Sequence, residues 1–292
     1  MKSSAILCLQ EVSYEWAAEL HTFFANRGYH MVSGLYGKAF NGYMGVCLAW
    51  STEQLETVGV TIDRLSDTRS EWPPADEEPN VIAKAWQGIS KWMEKPMKAM
   101  GWEVEEVIDH WNMSKWRSNV LVTATLRDRS SGRAFCVGNY HMPCAYYAPR
   151  VMTMHADMAA ARVQAVASDL PSVLAGDFNI KPSEPVYHFL TTGELDQTSS
   201  FFPIAKNGLE WSAASRPLRS AYAVASKEPD FTNYARVKDE DPFIDTLDYI
   251  FVSPEWKVGD TIQLVDREKS GGPFPNAVEP SDHLMIAVDL EA

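Results

Sequence analysis

The residues best suited to chemistry stand at the ends of apolar runs. Glu11 closes the run AILCLQEV, Asn139 and His141 end FCVGNYH, and Asp177 and Asn179 follow SVLAG. Asp248 precedes YIFVS, and Asp282 and His283 lie in a late SDH string. A single acid at a strand end often does no more than cap the next helix. Five such ends that together hold carboxylates, amides and two histidines are a different inventory. Brought together, the carboxylates supply hard oxygen ligands for Mg²⁺. The amides and imidazoles supply donors for phosphate oxygens, and an Asp–His pair can position or deprotonate water. Acyl chemistry without a cofactor would need a nucleophilic Ser or Cys on a sharp elbow, and no GxSxG string is present.

For these groups to meet, the apolar runs must be strands whose ends open on one side of an α/β fold, where such folds build their sites. Residues 5–12 read as a buried strand. A helix is expected from residue 14 to about 27, with Trp16, Leu20, Phe23 and Phe24 at helical spacing and Gly28 in the C-cap place. Strands are expected over 45–50, 56–62, 119–126 and 133–140, the last two joined as a hairpin by RDRSSG. A helix carrying Met154, Met158, Ala161 and Val166 leads into a strand over 172–175, and 246–253 and 284–290 read as strands.

Residues 69–80 are rich in proline and acid, a surface excursion, and Val81, Ala85, Ile89, Trp92 and Met93 recur as on an amphipathic helix. Six of the ten tryptophans, Trp72, Trp86, Trp92, Trp102, Trp111 and Trp116, fall within 69–116. This insertion is read as packing a helix on the body, with an aromatic wall for nucleobases or sugars as the other reading. No fixed repeat and no flexible linker divides the chain, so one α/β domain over 1–292 is expected.

The strings LQEV, GNYH, GDFN, LDYIF and SDH occur in an order and spacing that resemble the endonuclease/exonuclease/phosphatase superfamily. Within it, GDFNIKPSEPVYHFL and the FTNY string of residues 231–234 ahead of LDYIF are most similar to one branch. That branch holds the carbon-catabolite-repressor-type deadenylases, nocturnin, the angel proteins and the 2′-phosphodiesterases. The resemblance covers nearly the whole chain and implies a two-sheet α/β sandwich with the site at one end.

It also implies roles. Glu11 and Asp282 would hold one or two Mg²⁺ ions, with Mn²⁺ able to substitute. Asp177 would orient or deprotonate water beside Asn179, and His141 would donate to phosphoryl oxygens. His283 would act as acid or base, oriented by Asp248; Asp245, three residues earlier, competes for that role, and the match to LDYIF favours Asp248. Asn139, Arg150, Asn233 and Phe243 would face the substrate, Phe243 by stacking on a base or, in the alternative, as a core residue. Members of the superfamily carry an asparagine on a strand ahead of the LQEV glutamate. Four residues precede the first matched run here, so the resemblance predicts an open sheet position and an altered site.

Composition narrows the reading. Hydrophobic residues at 46% and charged residues at 22% suit a packed chain rather than disorder. A net charge of −13 argues against a general binder of DNA or anionic membranes. The cysteines, Cys8, Cys47, Cys136 and Cys144, have no CxxC spacing and read as free thiols in a reducing compartment. With no apolar run long enough to span a membrane and no signal-peptide pattern, the cytoplasm is expected, with the nucleus as the alternative.

Three activities stay open at this point. The first is a Mg²⁺-dependent exonuclease at RNA 3′ ends, of poly(A) type, that releases nucleoside 5′-monophosphates. The second is a phosphatase or phosphodiesterase on a small nucleotide or an RNA-end 2′-phosphate or 2′,3′-cyclic phosphate. The third is an inactive binding module of the same fold.

Overall fold

In this computed structural model the described residues are 5–37, 43–74, 108–236 and 241–291. A three-stranded antiparallel sheet is formed by β1 (Leu7–Val12), β2 (Tyr29–Leu35) and β3 (Gly45–Ser51), in the order β1-β3-β2. A six-stranded sheet has the order β4-β5-β6-β7-β11-β8. Its strands are β4 (Leu55–Arg64), β5 (Val120–Asp128), β6 (Ala134–Tyr140), β7 (Ser172–Asp177), β8 (Arg219–Ser220) and β11 (Asp248–Val252). Neighbours are antiparallel except β6 and β7, which run parallel. Two-residue periodicity explains why the sheets stack. Val46, Leu48 and Trp50 of β3 face Val122, Ala124 and Leu126 of β5, while Cys47 and Ala49 point the other way. The result is the α/β sandwich that the resemblance implies.

Helices cover both outer faces. Helix α1 (Tyr14–Ala25), capped by Ser13, lies on the small sheet. Helix α2 (His110–Trp116), the long α3 (Pro149–Ala167) and α4 (Pro185–Thr192) cover the large one. A short helix, α5 (Ala221–Ala225), follows β8. Small residues on α3, Ala156, Ala159 and Ala160, are fully buried and let the helix lie close to the sheet. Two further strand pairs, β9 (Asn233–Ala235) with β10 (Phe243–Asp245) and β12 (Lys257–Thr261) with β13 (Val288–Glu291), complete the described elements.

Four expectations change in detail. The inward face of α1 is Ala17 and Phe24, whereas Trp16 and Phe23 are exposed, because the helix axis is set by Tyr29, Met31 and Ala49 beneath it. The strand Tyr29–Leu35 was not expected; its alternation is masked by Ser33 and Gly34, and Gly34 is required where a Cβ would strike Val120 and Val122 of the facing sheet. The last strand is only Val288–Glu291. Three cysteines are at least partly covered, but Cys144 is exposed.

The helix expected from Val81, with Trp86, Trp92 and Trp102, lies outside the described residues. Of the remaining tryptophans, Trp72 and Trp111 pack edge to face at 6.4 Å. Trp111 donates to the Ile204 carbonyl, so these two serve packing, while Trp116 is exposed. No helix among the described residues is long and apolar enough to cross a membrane.

Candidate active site

Topology gathers the chemistry. Strands β6 and β7 run parallel and end on the same side, and β11, antiparallel to β7, begins there. Asp177, the last residue of β7, therefore stands directly opposite Asp248, the first of β11. Strand β1 packs across β6 and β7 and brings Glu11 to that end. Tight backbone makes the approach: Gly176 has φ +143°, and a Cβ there would lie 1.8 Å from the Tyr140 carbonyl oxygen. Glu11 and Asn179 also hold left-handed backbone, at φ 56° and 51°.

Asp177 is the hub. Its Oδ1 accepts from the Asn179 backbone N–H at 2.8 Å, and its Oδ2 accepts from the Asn179 side-chain amide at 3.3 Å. The same Oδ2 lies 3.4 Å from His141 Nε2 and 3.9 Å from His283 Nε2. His283 Nδ1 is 2.7 Å from Asp248 Oδ2. An ionised carboxylate only accepts, so Nδ1–H donates and Nε2 is turned toward Asp177. Ligand atoms of Asp177, Asp248 and His283 all fall within 4.8 Å of one another.

The charges follow from these contacts. Burial, and then the Asp248 charge, raise the Asp177 carboxyl well above the carboxylate range. Burial alone would lower His283, but the hydrogen bond and charge of Asp248, with Asp177 and Asp282, carry it up to about 9. Burial, with the His283 charge, drives His141 down to about 4. His141 is thus a neutral imidazole beside a cationic one. Desolvation and the Asp282 carboxylate raise Glu11, with His283 opposing, so Glu11 and Asp282 bear on the same space as His283.

The strand end is held by an unusually polar brace. Thr232 Oγ1 accepts from the backbone N–H groups of Leu247 and Asp248 at 2.9 and 3.0 Å, and the Thr232 carbonyl accepts from Leu284 N–H at 2.7 Å. Asn233 bridges to His283 in the backbone ladder, and its side chain donates to the Asp282 carbonyl at 3.3 Å. The FTNY string thus positions both members of the Asp248–His283 pair.

Of the residues expected to meet substrate, each has a definite place. Asn139 is fully buried, its amide donating to the Leu9 and Cys47 carbonyls and accepting from Gln10, so it fastens the large sheet to the small one. Arg150, in the first turn of α3, donates through Nε to the Phe202 carbonyl. Phe243 is 41% exposed, with the Lys181 ammonium 5.3 Å from its ring centroid. Asp245, the competitor of Asp248, lies 3.6 Å from Lys181 and away from His283's hydrogen bond.

Sequence reasoning missed two supports. Tyr36 OH lies 3.0 Å from His141 Nδ1, and Asn119 donates to the His141 carbonyl at 2.9 Å. Burial keeps the Tyr36 phenol protonated, so it donates to Nδ1 and leaves the His141 proton on Nε2, facing Asp177. Neither residue belongs to a string that marks chemistry.

The arrangement can hold a tetrahedral oxyanion between His141 and His283, keep a water against Asp177, and offer carboxylates to a cation. Comparison with known proteins agrees with that chemistry. Mouse 2′,5′-phosphodiesterase 12 is 30% identical over 188 residues, which is 60% of this chain and 29% of that protein. Nocturnin of Drosophila melanogaster is 27% identical over 191 residues, 63% of this chain and 29% of its own length. The matched stretch therefore spans less than a third of either relative. A solved structure of ANGEL2, described as a 2′,3′-cyclic phosphatase in complex with adenosine-2′,3′-vanadate, superimposes with a TM-score of 0.66 at 20% identity. It covers 98% of this chain and 81% of that one. The model of the Endonuclease/Exonuclease/phosphatase family matches residues 2–283. With its strand ends, its paired histidines and that match over nearly its full length, the chain belongs to the endonuclease/exonuclease/phosphatase family.

Proposed function

We propose that this chain is a divalent-metal-dependent phosphoester hydrolase, and within that class a 3′-to-5′ exoribonuclease of poly(A) type that releases nucleoside 5′-monophosphates. The observation that carries the reading is the Asp177 carboxylate set between two histidine Nε2 atoms, one histidine neutral and one held cationic by Asp248. In its ionised form Asp177 takes a proton from the attacking water as the water oxygen bonds to phosphorus. His141 donates to the phosphoryl oxygens as charge gathers, the bond to the leaving ribose oxygen breaks, and cationic His283 gives that oxygen its proton.

The donor set fits a hard cation. Glu11 and Asp282 raise the local negative charge at one spot, and among the described residues His283 is the cation that opposes it at Glu11. These two carboxylates would hold one or two Mg²⁺, or Mn²⁺, which when bound offset the charge of the phosphate. RNA 3′ ends are the proposed partner, with exposed Phe243 offering a face to a base. The cytoplasm is the proposed compartment.

A second reading, a small nucleotide or RNA-end phosphoester, is favoured by the net charge of −13, which disfavours long polyanions. One assay separates them. A 5′-labelled RNA ending in about twenty adenosines, longer than the roughly 4–16 nucleotides of a single-strand site, is incubated with Mg²⁺ or Mn²⁺, with EDTA and Asp177→Ala as controls. A metal-dependent ladder lost in the variant supports the exonuclease. Unshortened RNA with release of an end phosphate supports the second reading. Binding without any turnover points to an inactive module and overturns both.

A further inference from the structure

The loop that leaves His141 carries exposed rings beside a cation that the catalytic scheme does not use. Tyr146 is 82% and Tyr147 52% exposed, their rings edge to face at 5.7 Å. Lone exposed aromatics are ordinary, but a contiguous group at the rim of a site marks a contact surface. Arg117 reaches this loop from the end of α2. Its Nη2 donates to Tyr147 OH at 3.3 Å, while its Nε is buried with no hydrogen-bond partner among the described residues. Its backbone is fixed independently, the Arg117 carbonyl accepting from Arg64 Nε and Ser66 Oγ.

Two sets of contacts tie this guanidinium to the loop that leaves His141. Asn119, two residues on, donates to the His141 carbonyl, so one short segment grips both ends of the 141–147 loop. The start of that loop is tied to the hub as well, with Met142 N–H donating to the Asp177 carbonyl at 2.8 Å and the Asn179 amide donating to the Met142 carbonyl at 3.0 Å. The Cys144 thiol feels the charges of both Asp177 and Arg117. A planar fork of donors suits a phosphate. In a chain of net charge −13, a cation fixed at the rim of an acidic site is a selective feature rather than a general one.

We propose that Arg117, held by Tyr147, binds a second phosphate of the substrate, one not hydrolysed, so that the site prefers nucleotides carrying a phosphate beyond the scissile one. The inference rests on the phosphoester-hydrolase reading and names the substrate feature that site selects.

The test compares two adenosine dinucleotides with the same scissile bond, one bearing a 5′-phosphate and one without. KM for the phosphorylated dinucleotide is expected to be lower by about 10- to 100-fold, the worth of charge-assisted hydrogen bonds. Arg117→Met abolishes the preference, Arg117→Lys keeps part of it, and Tyr147→Phe reduces it on the phosphorylated substrate alone. Equal KM values in the unaltered protein, or a preference that survives Arg117→Met, overturns the proposal. If Arg117→Met fails to melt as the unaltered protein does, Arg117→Lys and Tyr147→Phe carry the test.

Equilibrium binding of fluorescently labelled forms of both dinucleotides to an Asp177→Asn protein separates this proposal from the reading beneath it. An Arg117-dependent preference in binding with no turnover by the unaltered protein upholds the phosphate site and discards the hydrolase. Turnover without preference does the reverse.

Discussion

Asp177 and Asp248 face each other directly across the antiparallel pair of β7 and β11. Like charges so opposed weaken a sheet, and Asp177 is buried besides. His283 offsets the cost by binding Asp248 at 2.7 Å and lying 3.9 Å from Asp177. The arrangement of two opposed carboxyls and one imidazole has several consequences that can be measured.

Asp177→Asn should separate activity from stability. Turnover of a phosphoester is expected to fall by about 10² to 10⁴, the range for a group that moves a proton. The melting temperature should hold or rise, since a buried carboxyl opposed to another carboxyl is removed. Steady-state kinetics and a thermal melt on the same preparation check both halves; near-normal turnover would contradict the role given to Asp177.

Asp248→Asn should release the His283 proton. In the unaltered protein His283 holds its proton up to about 9, against 6.5 when unfolded, so the pair's contribution is complete below about 6.5 and is lost as pH rises through about 9. The variant should bring the imidazole titration, followed by NMR, down toward the unfolded value. Its unfolding free energy should fall less than that of the unaltered protein between pH 6.5 and 9.5.

His155 predicts an acid weakness remote from the site. It is fully buried between Tyr140 OH, 2.8 Å from Nδ1, and the Ser114 carbonyl, 3.2 Å from Nε2, and burial lowers it to about 3. A depressed histidine stabilises the fold above the unfolded value of 6.5 and loses that contribution as pH falls toward 3, at about 1.4 kcal/mol per pH unit. Denaturant titrations at pH 7 and pH 5 should show a smaller difference for His155→Gln than for the unaltered chain.

Gly176→Ala should be among the most damaging single changes. A Cβ at φ +143° would meet the Tyr140 carbonyl, backbone that cannot step aside. The expected cost is about 3 kcal/mol or more, by urea unfolding, with Asp177 displaced and activity lost even where the chain folds.

The ends of the apolar strands were legible because strand burial and the polar residue after it are both local signals. Glu11, His141, Asp177, Asp248 and His283 were read that way, whereas the two-sheet sandwich came from the family resemblance and not from local pattern. Tyr36 and Asn119 were not legible, because their roles depend on which strand lies across the cleft, a fact of topology that no spacing encodes. Asn139 shows the complementary difficulty: a polar residue at a strand tip reads the same whether its amide meets a ligand or, as here, two backbone carbonyls of the facing sheet. On α1 the spacing found Leu20 and Phe24, which pack on the small sheet, but it also offered Trp16 and Phe23, which are exposed, while the small Ala17 is buried in their place.

That buried amide makes the interior of the sandwich a gauge. Glu11 rides on one sheet and Asp177 on the other, so how closely these two carboxyl groups approach depends on how the apolar filling between the sheets is packed. Exchanging Ala124 or Val137 for a bulkier side chain would pry the sheets apart against the Asn139 clamp and mistune the reaction from a distance.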